Sequence, residues 1–194
     1  MTHATMLPDP RERCRVIRIC VTGPESTGKT RLAHRLSAHF HAERVPEASR
    51  LYAERVTREL VVGDVERIAD DHIAMADDAT RRVIDRGGGT IILDTDLIST
   101  IVYGRHYYDF ASDWLQDEAR ARRADLYLLC DVDVPWVSDG IRDRPRDRDA
   151  MFTRFVDALD ERRANSAIVR GAWDARWERA VAACRASRDP DAAR

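Results

Sequence analysis

Lysine is nearly absent from this chain. Of 32 basic residues, Lys29 is the only lysine and the rest are arginine. A guanine-nucleotide switch reads its base with an Asn-Lys-x-Asp segment, which a chain with one lysine elsewhere does not have. Lysine survives where a compact, flexible ammonium serves and a wide guanidinium fits badly. Cysteine is also sparse: Cys14, Cys20, Cys130 and Cys184 are scattered and form no C-x-x-C pair. Buried free thiols in a reducing compartment are the expectation. The histidines offer no metal-ligand spacing, and His34, His39 and His41 are expected to be surface or packing residues. No apolar run is long enough to span a bilayer, and Met1 to Arg15 lacks the apolar core of a signal peptide. The formal net charge of −2 gives no bulk attraction to nucleic acid or to an anionic membrane. A cytoplasmic protein with neither nucleic acid nor membrane as partner is therefore expected.

What is present reads as one globular domain. A hydrophobic fraction of 44% beside a charged fraction of 34% argues against disorder, and 194 residues suffice for a substantial core. The domain is expected over 15–186, between flexible tails at 1–14 and 187–194. Strand-like runs alternate with helical periodicity, which predicts an α/β fold with a parallel sheet. The strands are expected at Val16 to Val21, Arg44 to Glu47, Thr90 to Asp94, Leu126 to Cys130 and Ala167 to Val169. Helices are expected after the first strand as far as Phe40, then over Ser49 to Val61, Val65 to Arg86, Leu97 to Tyr107 and Ser112 to Arg123. Two more follow, one around Phe152 to Leu159 and one from Trp173 to Ala186.

The strongest motif is Gly23-Pro24-Glu25-Ser26-Thr27-Gly28-Lys29-Thr30, a full match to G-x-x-x-x-G-K-S/T between a strand and an amphipathic helix. Its glycines let backbone wrap phosphate oxygens, and the helix start offers free N–H groups to an anion. Lys29 is expected on the β- and γ-phosphates of ATP, and the Thr30 hydroxyl on Mg²⁺.

Other candidates follow from position. Asp94 ends an apolar strand, where a P-loop protein keeps a carboxylate for metal or substrate. Asp96, at a helix start, is either an N-cap or a substrate contact. Glu47, after the second strand, can accept the proton of an attacking hydroxyl, with Arg50 sharing the site; the alternative is a solvated ion pair. Which of Glu47, Asp94 and Asp96 is the base stays open. The charge-rich segment Asp139 to Asp149 falls where compact kinases keep a lid. Arg142 and Arg148 are its candidates for closing over the γ-phosphate. Trp136, just before it, is either a packing plug or a flat binding surface.

Four blocks together resemble the ribosylnicotinamide kinase domain of the bacterial NadR family, from about Arg18 to Ala182. They are the P-loop, Val45-Pro46-Glu47-Ala48-Ser49-Arg50, Asp94-Thr95-Asp96-Leu97-Ile98-Ser99-Thr100, and the run from Asp125 through Pro135-Trp136-Val137 to Asp139-Gly140-Ile141-Arg142. The last two are the more specific. The resemblance implies a P-loop NTPase fold, a five-stranded parallel sheet flanked by helices with a short arginine-rich lid. It implies phosphorylation of nicotinamide riboside at the 5′-hydroxyl, giving nicotinamide mononucleotide. Trp136 would then face a cationic pyridinium, which an indole attracts. Rivals are a kinase for another nucleoside or small metabolite and, from a different class, a regulatory ATP-binding switch.

Overall fold

The computed structural model describes residues 15–135 and 147–188. Five strands run β1 (Val16–Thr22), β2 (Glu43–Val45), β3 (Gly89–Asp94), β4 (Leu126–Cys130) and β5 (Ser166–Val169). They form one sheet in the order β2-β3-β1-β4-β5. All four neighbouring pairs are parallel, with Val45 against Leu93, Val21 against Asp94, Cys20 against Tyr127 and Cys130 against Val169. The helices are α1 (Lys29–Phe40), α2 (Ala48–Val56), α3 (Asp64–Asp85), α4 (Leu97–Tyr108), α5 (Asp113–Ala121), α6 (Arg148–Glu161) and α7 (Trp173–Arg188). This is the expected P-loop NTPase fold.

The strands are apolar on both faces because helices cover both. Ile17, Ile19 and Val21 of β1 pack with Leu32, Ala33 and Leu36 of α1 and with Ala180 and Cys184 of α7. Cys20, between them, points the other way, into a core with Ala69 of α3, Ile101 of α4 and Phe155 of α6. The same two-residue alternation puts Ile92 on the first side and Ile91 and Leu93 on the second. Cys20, Cys130 and Cys184 are free and buried, as expected of structural thiols; Cys14 lies outside the described residues. His39 meets Phe40 and Trp177 edge-on, a packing role. No helix among the described residues is long and apolar enough to cross a membrane.

Several expected boundaries shift by a residue or more, two of them for a clear local reason. β2 stops at Val45 because Pro46 has no N–H for the ladder. α2 stops at Val56 rather than Val61, where Thr57 takes the left-handed conformation at φ 51°. The chain is then drawn into a turn by Asp64. Its carboxylate accepts from Val61 N at 2.9 Å, Tyr52 Oη at 2.8 Å and Arg58 Nη1 at 2.7 Å. At the far end α7 continues to Arg188, past the expected edge at 186.

Candidate functional site

Parallel strands bring their C-terminal ends to one edge, where ligands bind in open α/β sheets. The loop after β1, Glu47 after β2, Asp94 at the end of β3 and Asp131 to Asp133 after β4 all emerge there. The loop after β1 is the P-loop. Gly23 adopts φ +131°, and a Cβ on it would stand 2.7 Å from the Cys130 carbonyl oxygen. Gly28, at φ +80°, is the N-cap of α1, and its Cβ would stand 2.4 Å from Cη2 of Trp173. Pro24 O accepts from Thr27 Oγ1 and from Lys29 Nζ, both at 2.8 Å. The ammonium is thus parked across the loop it would serve.

A buried arginine fastens this loop. Arg176 of α7 is 1% exposed. Its guanidinium donates to Thr27 O at 3.1 Å, Asp131 O at 2.8 Å and Gly171 O at 3.0 Å, and it pairs with Asp133. Three segments far apart in sequence are held by one side chain. Beside it is a depression walled by Gly28, Arg31, Pro135, Gly171 and Trp173. Arg31 stacks on the Trp173 ring, 4.2 Å from its centre. Arg148, in the first turn of α6, donates to Val134 O at 3.1 and 3.2 Å, next to this depression.

On the other side of the loop, Asp94 is 1% exposed. Its carboxyl is hydrogen-bonded to the Thr30 side chain, and Oδ1 is buried without a partner among the described residues. Burial, and then the neighbouring charge of Glu47, raise its pKa above the usual carboxylate value; Thr30 and Lys29 pull the other way. A buried, unpaired carboxylate oxygen next to a P-loop hydroxyl suits a hard cation.

Next to Asp94 opens a cavity of about 420 Å³ between α2, α3 and α4. Glu47 stands at its rim, accepting from Ser49 Oγ at 2.8 Å, with Arg50 Nε 3.7 Å from its other oxygen. Tyr103 and Tyr107 line it with near-parallel rings, 6.0 Å between centres. Tyr107 Oη donates to Glu25 of the P-loop at 3.0 Å, joining cavity wall to phosphate loop.

Asp96 resolves toward the capping alternative. Its Oδ1 accepts from Ile98 N at 3.0 Å and Ser99 N at 3.4 Å, and its Oδ2 from Tyr127 Oη at 2.7 Å. Burial raises its pKa, against the pull of Tyr127 and the two backbone amides. The carboxylate borders the cavity, yet both oxygens are engaged. Trp136 and Arg142 lie outside the described residues.

Sequence reasoning missed Arg31, Trp173 and Arg176 beside the P-loop, and His72, Tyr103 and Tyr107 in the cavity. One signal for Arg176 exists: it falls in line with Ala180 and Cys184 on the apolar face of α7, where an arginine is out of place.

Residues 18–176 match a family model described as AAA domain. The trifunctional NAD biosynthesis/regulator protein NadR of Salmonella typhimurium (strain LT2) is 27% identical over 170 residues, covering 84% of this chain and 40% of the relative. NadR of Escherichia coli (strain K12) is 26% identical over 151 residues, covering 74% and 35%. The chain therefore spans less than half the length of these curated relatives. A solved NadR protein in complex with NR superposes with a TM-score of 0.69 at 24% identity, over 89% of this chain and 52% of that one. A thymidylate kinase from Ehrlichia chaffeensis superposes at 0.59 with 16% identity, over 88% and 98%. The solved structures share the fold, and the family match covers most of this chain. The chain belongs to the AAA domain family, and its domain is of the NadR type.

Proposed function

We propose that the protein transfers the γ-phosphoryl group of ATP to the 5′-hydroxyl of nicotinamide riboside, giving nicotinamide mononucleotide. One observation carries this reading. A cavity of about 420 Å³ has the carboxylate of Glu47 in its lining and adjoins the phosphate machinery twice, through Tyr107, which bonds Glu25 of the P-loop, and through Thr95, which follows Asp94 in the chain. That volume lies within the range of small-molecule pockets, roughly 300–1,000 Å³. A hydrolytic switch has no use for an acceptor pocket, whereas a transferase requires one. The similarity to NadR proteins supports the choice of acceptor.

The triphosphate lies along the P-loop, its base in the depression beside Trp173 and Arg31. Lys29 exchanges the Pro24 carbonyl for phosphate oxygens. Thr30 and Asp94 would hold Mg²⁺, which neutralises the charge of the transferring phosphoryl group. Glu47, oriented by Ser49 and Arg50, takes the proton from the attacking hydroxyl. Asp96 holds the start of α4 rather than moving a proton. Arg142 and Arg148 remain the candidate lid arginines of this scheme and Trp136 a candidate for the acceptor ring; of the three, Arg148 is among the described residues, bonded to Val134 O. The tyrosines already in the cavity offer π faces to a cationic ring. Buried free thiols suit a cytoplasmic setting.

The test is a panel of nucleosides with ATP and Mg²⁺, with products identified by mass. Phosphorylated nicotinamide riboside as the favoured product is expected. Preference for another nucleoside would replace the acceptor and keep the chemistry. Hydrolysis of ATP that no acceptor accelerates would overturn the transferase reading.

A further inference from the structure

The acceptor cavity has a direction. Tyr108, the last residue of α4, donates to Leu60 O at 2.7 Å, just before α3 begins. Further in, a Cβ on Gly104 of α4 would stand 3.3 Å from Val65 of α3. The two helices therefore run antiparallel along the cavity. Two turns beyond Val65, about 10 Å along α3 at 1.5 Å per residue, comes His72. It lies toward the start of α4, where Asp96 and Ser99 are. By the directions of the two helices, these three lie toward one end of the cavity, its floor, and Tyr107 and Tyr108 toward the other.

The polar groups of the floor differ in one respect. Asp96 is consumed by its cap and by Tyr127, and Ser99 Oγ pairs with Thr22 Oγ1 at 2.9 Å. His72 is 4% exposed, and its Nδ1 is buried with no hydrogen-bond partner among the described residues. A buried imidazole without a partner is a liability in an apolar wall unless something else supplies the bond. The cavity it lines is where that partner would come from, and a half-turn of the ring presents either nitrogen. Burial, and secondarily the Arg122 charge, hold its pKa down at about 4, with Asp77 opposing them. The ring is therefore neutral, able both to donate and to accept, and does not repel a cation.

Resting on nicotinamide riboside as the acceptor, we propose that His72 is a specificity-determining residue that hydrogen-bonds the ring carboxamide at the cavity floor. With the reacting hydroxyl at Glu47, the pyridinium extends into the cavity and its substituent leads toward α3. The carboxamide offers one carbonyl acceptor and an NH₂ donor, and a neutral imidazole can match either.

The experiment compares nicotinamide riboside with ribosylpyridinium, the same acceptor without the carboxamide, in wild type, His72→Gln and His72→Leu. The readout is the ratio of the two specificity constants within each protein, which cancels any loss of folded enzyme. Wild type is expected to favour the carboxamide by about tenfold, the worth of one hydrogen bond. His72→Leu should abolish that preference through KM for nicotinamide riboside, with kcat and KM for ATP little changed. His72→Gln, which still hydrogen-bonds, should keep part of it. A ratio in His72→Leu equal to that of wild type overturns the assignment while leaving the acceptor reading intact. A wild-type enzyme that phosphorylates neither riboside overturns the acceptor reading, and the His72 assignment with it.

Discussion

Arg176 Nη1 donates to the carbonyl of Thr27 at 3.1 Å, across 149 positions of sequence. The bond ties the last helix to the phosphate loop, and the rest of the same guanidinium holds the ends of β4 and β5. The P-loop is thus clamped to the ends of β4 and β5 through the Thr27 carbonyl. Its glycines provide the bend, and Arg176 keeps the loop in place.

Replacing Arg176 by methionine should therefore affect stability and nucleotide binding together. The variant leaves the carbonyls of Thr27, Asp131 and Gly171 without their donor, while Asp133, 36% exposed, turns to water. The three lost bonds cost about 1 kcal/mol or more each, together about 3–5 kcal/mol. For a domain of this size that is a fall of roughly 6–20 °C in Tm, at about 2–4 °C per kcal/mol. KM for ATP should rise more than KM for the acceptor, because the clamp touches the P-loop and the base-side depression but not the cavity. Thermal melts and steady-state kinetics of the variant check both. Equal rises in the two KM values would mean that Arg176 supports the fold in general.

Gly28→Ala should eliminate nucleotide binding. The position is left-handed, and the new methyl would meet the Trp173 ring at 2.4 Å. Trp173→Leu should remove the collision but also the ring that walls the base-side depression. The double variant should thus regain thermal stability relative to Gly28→Ala and still bind ATP weakly by calorimetry. Full recovery of ATP affinity in the double variant would exclude Trp173 from the base site.

The two carboxylates that border the acceptor cavity should fail in different ways. Glu47→Gln keeps the shape and removes the proton acceptor, so kcat should fall by roughly 10²–10⁴ with ATP affinity and Tm little changed. Asp96→Asn keeps the cap, because its amide oxygen can accept from Ile98 and Ser99, but turns an NH₂ donor toward Tyr127 Oη, leaving that buried hydroxyl without its acceptor, and should lower Tm first. If Asp96→Asn instead melted like wild type and lost turnover, the roles of the two would be exchanged.

The P-loop was legible because its chemistry is local: eight consecutive residues between a strand and a helix carry it. The sheet was legible for a related reason. Covered strands such as Leu126 to Cys130 read as unbroken apolar runs, and the helices between them keep a steady period. The clamp and the base-side depression were not, because they assemble Thr27, Asp133, Gly171 and Arg176 from three separate segments. An arginine inside an arginine-rich helix gives little sign that it points inward. The floor of the cavity was hidden likewise. His72 reads as one polar residue on α3, and only its packing against α4 gives it a cavity to face. Asp96 was legible as a position but not as a role, since choosing between cap and ligand needs Tyr127, which approaches from β4.

In the proposed scheme Asp94 links metal binding to instability. Its folded-state pKa is raised by burial and by Glu47. A carboxyl in that condition holds its proton more tightly in the folded than in the unfolded chain. Below the ordinary carboxylate pKa both states are protonated and the residue contributes nothing. As pH rises from the ordinary value through the raised folded-state value, the unfolded chain ionises more readily than the folded one, and the fold loses stability. Asp94→Asn removes the charge and keeps the shape. At pH 7 it should raise Tm by roughly 2–4 °C for each kcal/mol regained, and the gain should vanish toward pH 3. The same variant should lose phosphoryl transfer. It should also lose the extra stabilisation that Mg²⁺ adds to a non-hydrolysable ATP analogue, which for wild type at 100 times Kd is about 2.7 kcal/mol. Melting curves at several pH values, with analogue alone and with analogue plus Mg²⁺, separate these effects. A variant less stable than wild type at pH 7 would show that the Thr30 hydrogen bond outweighs burial. A variant still stabilised by Mg²⁺ would remove Asp94 from the metal site.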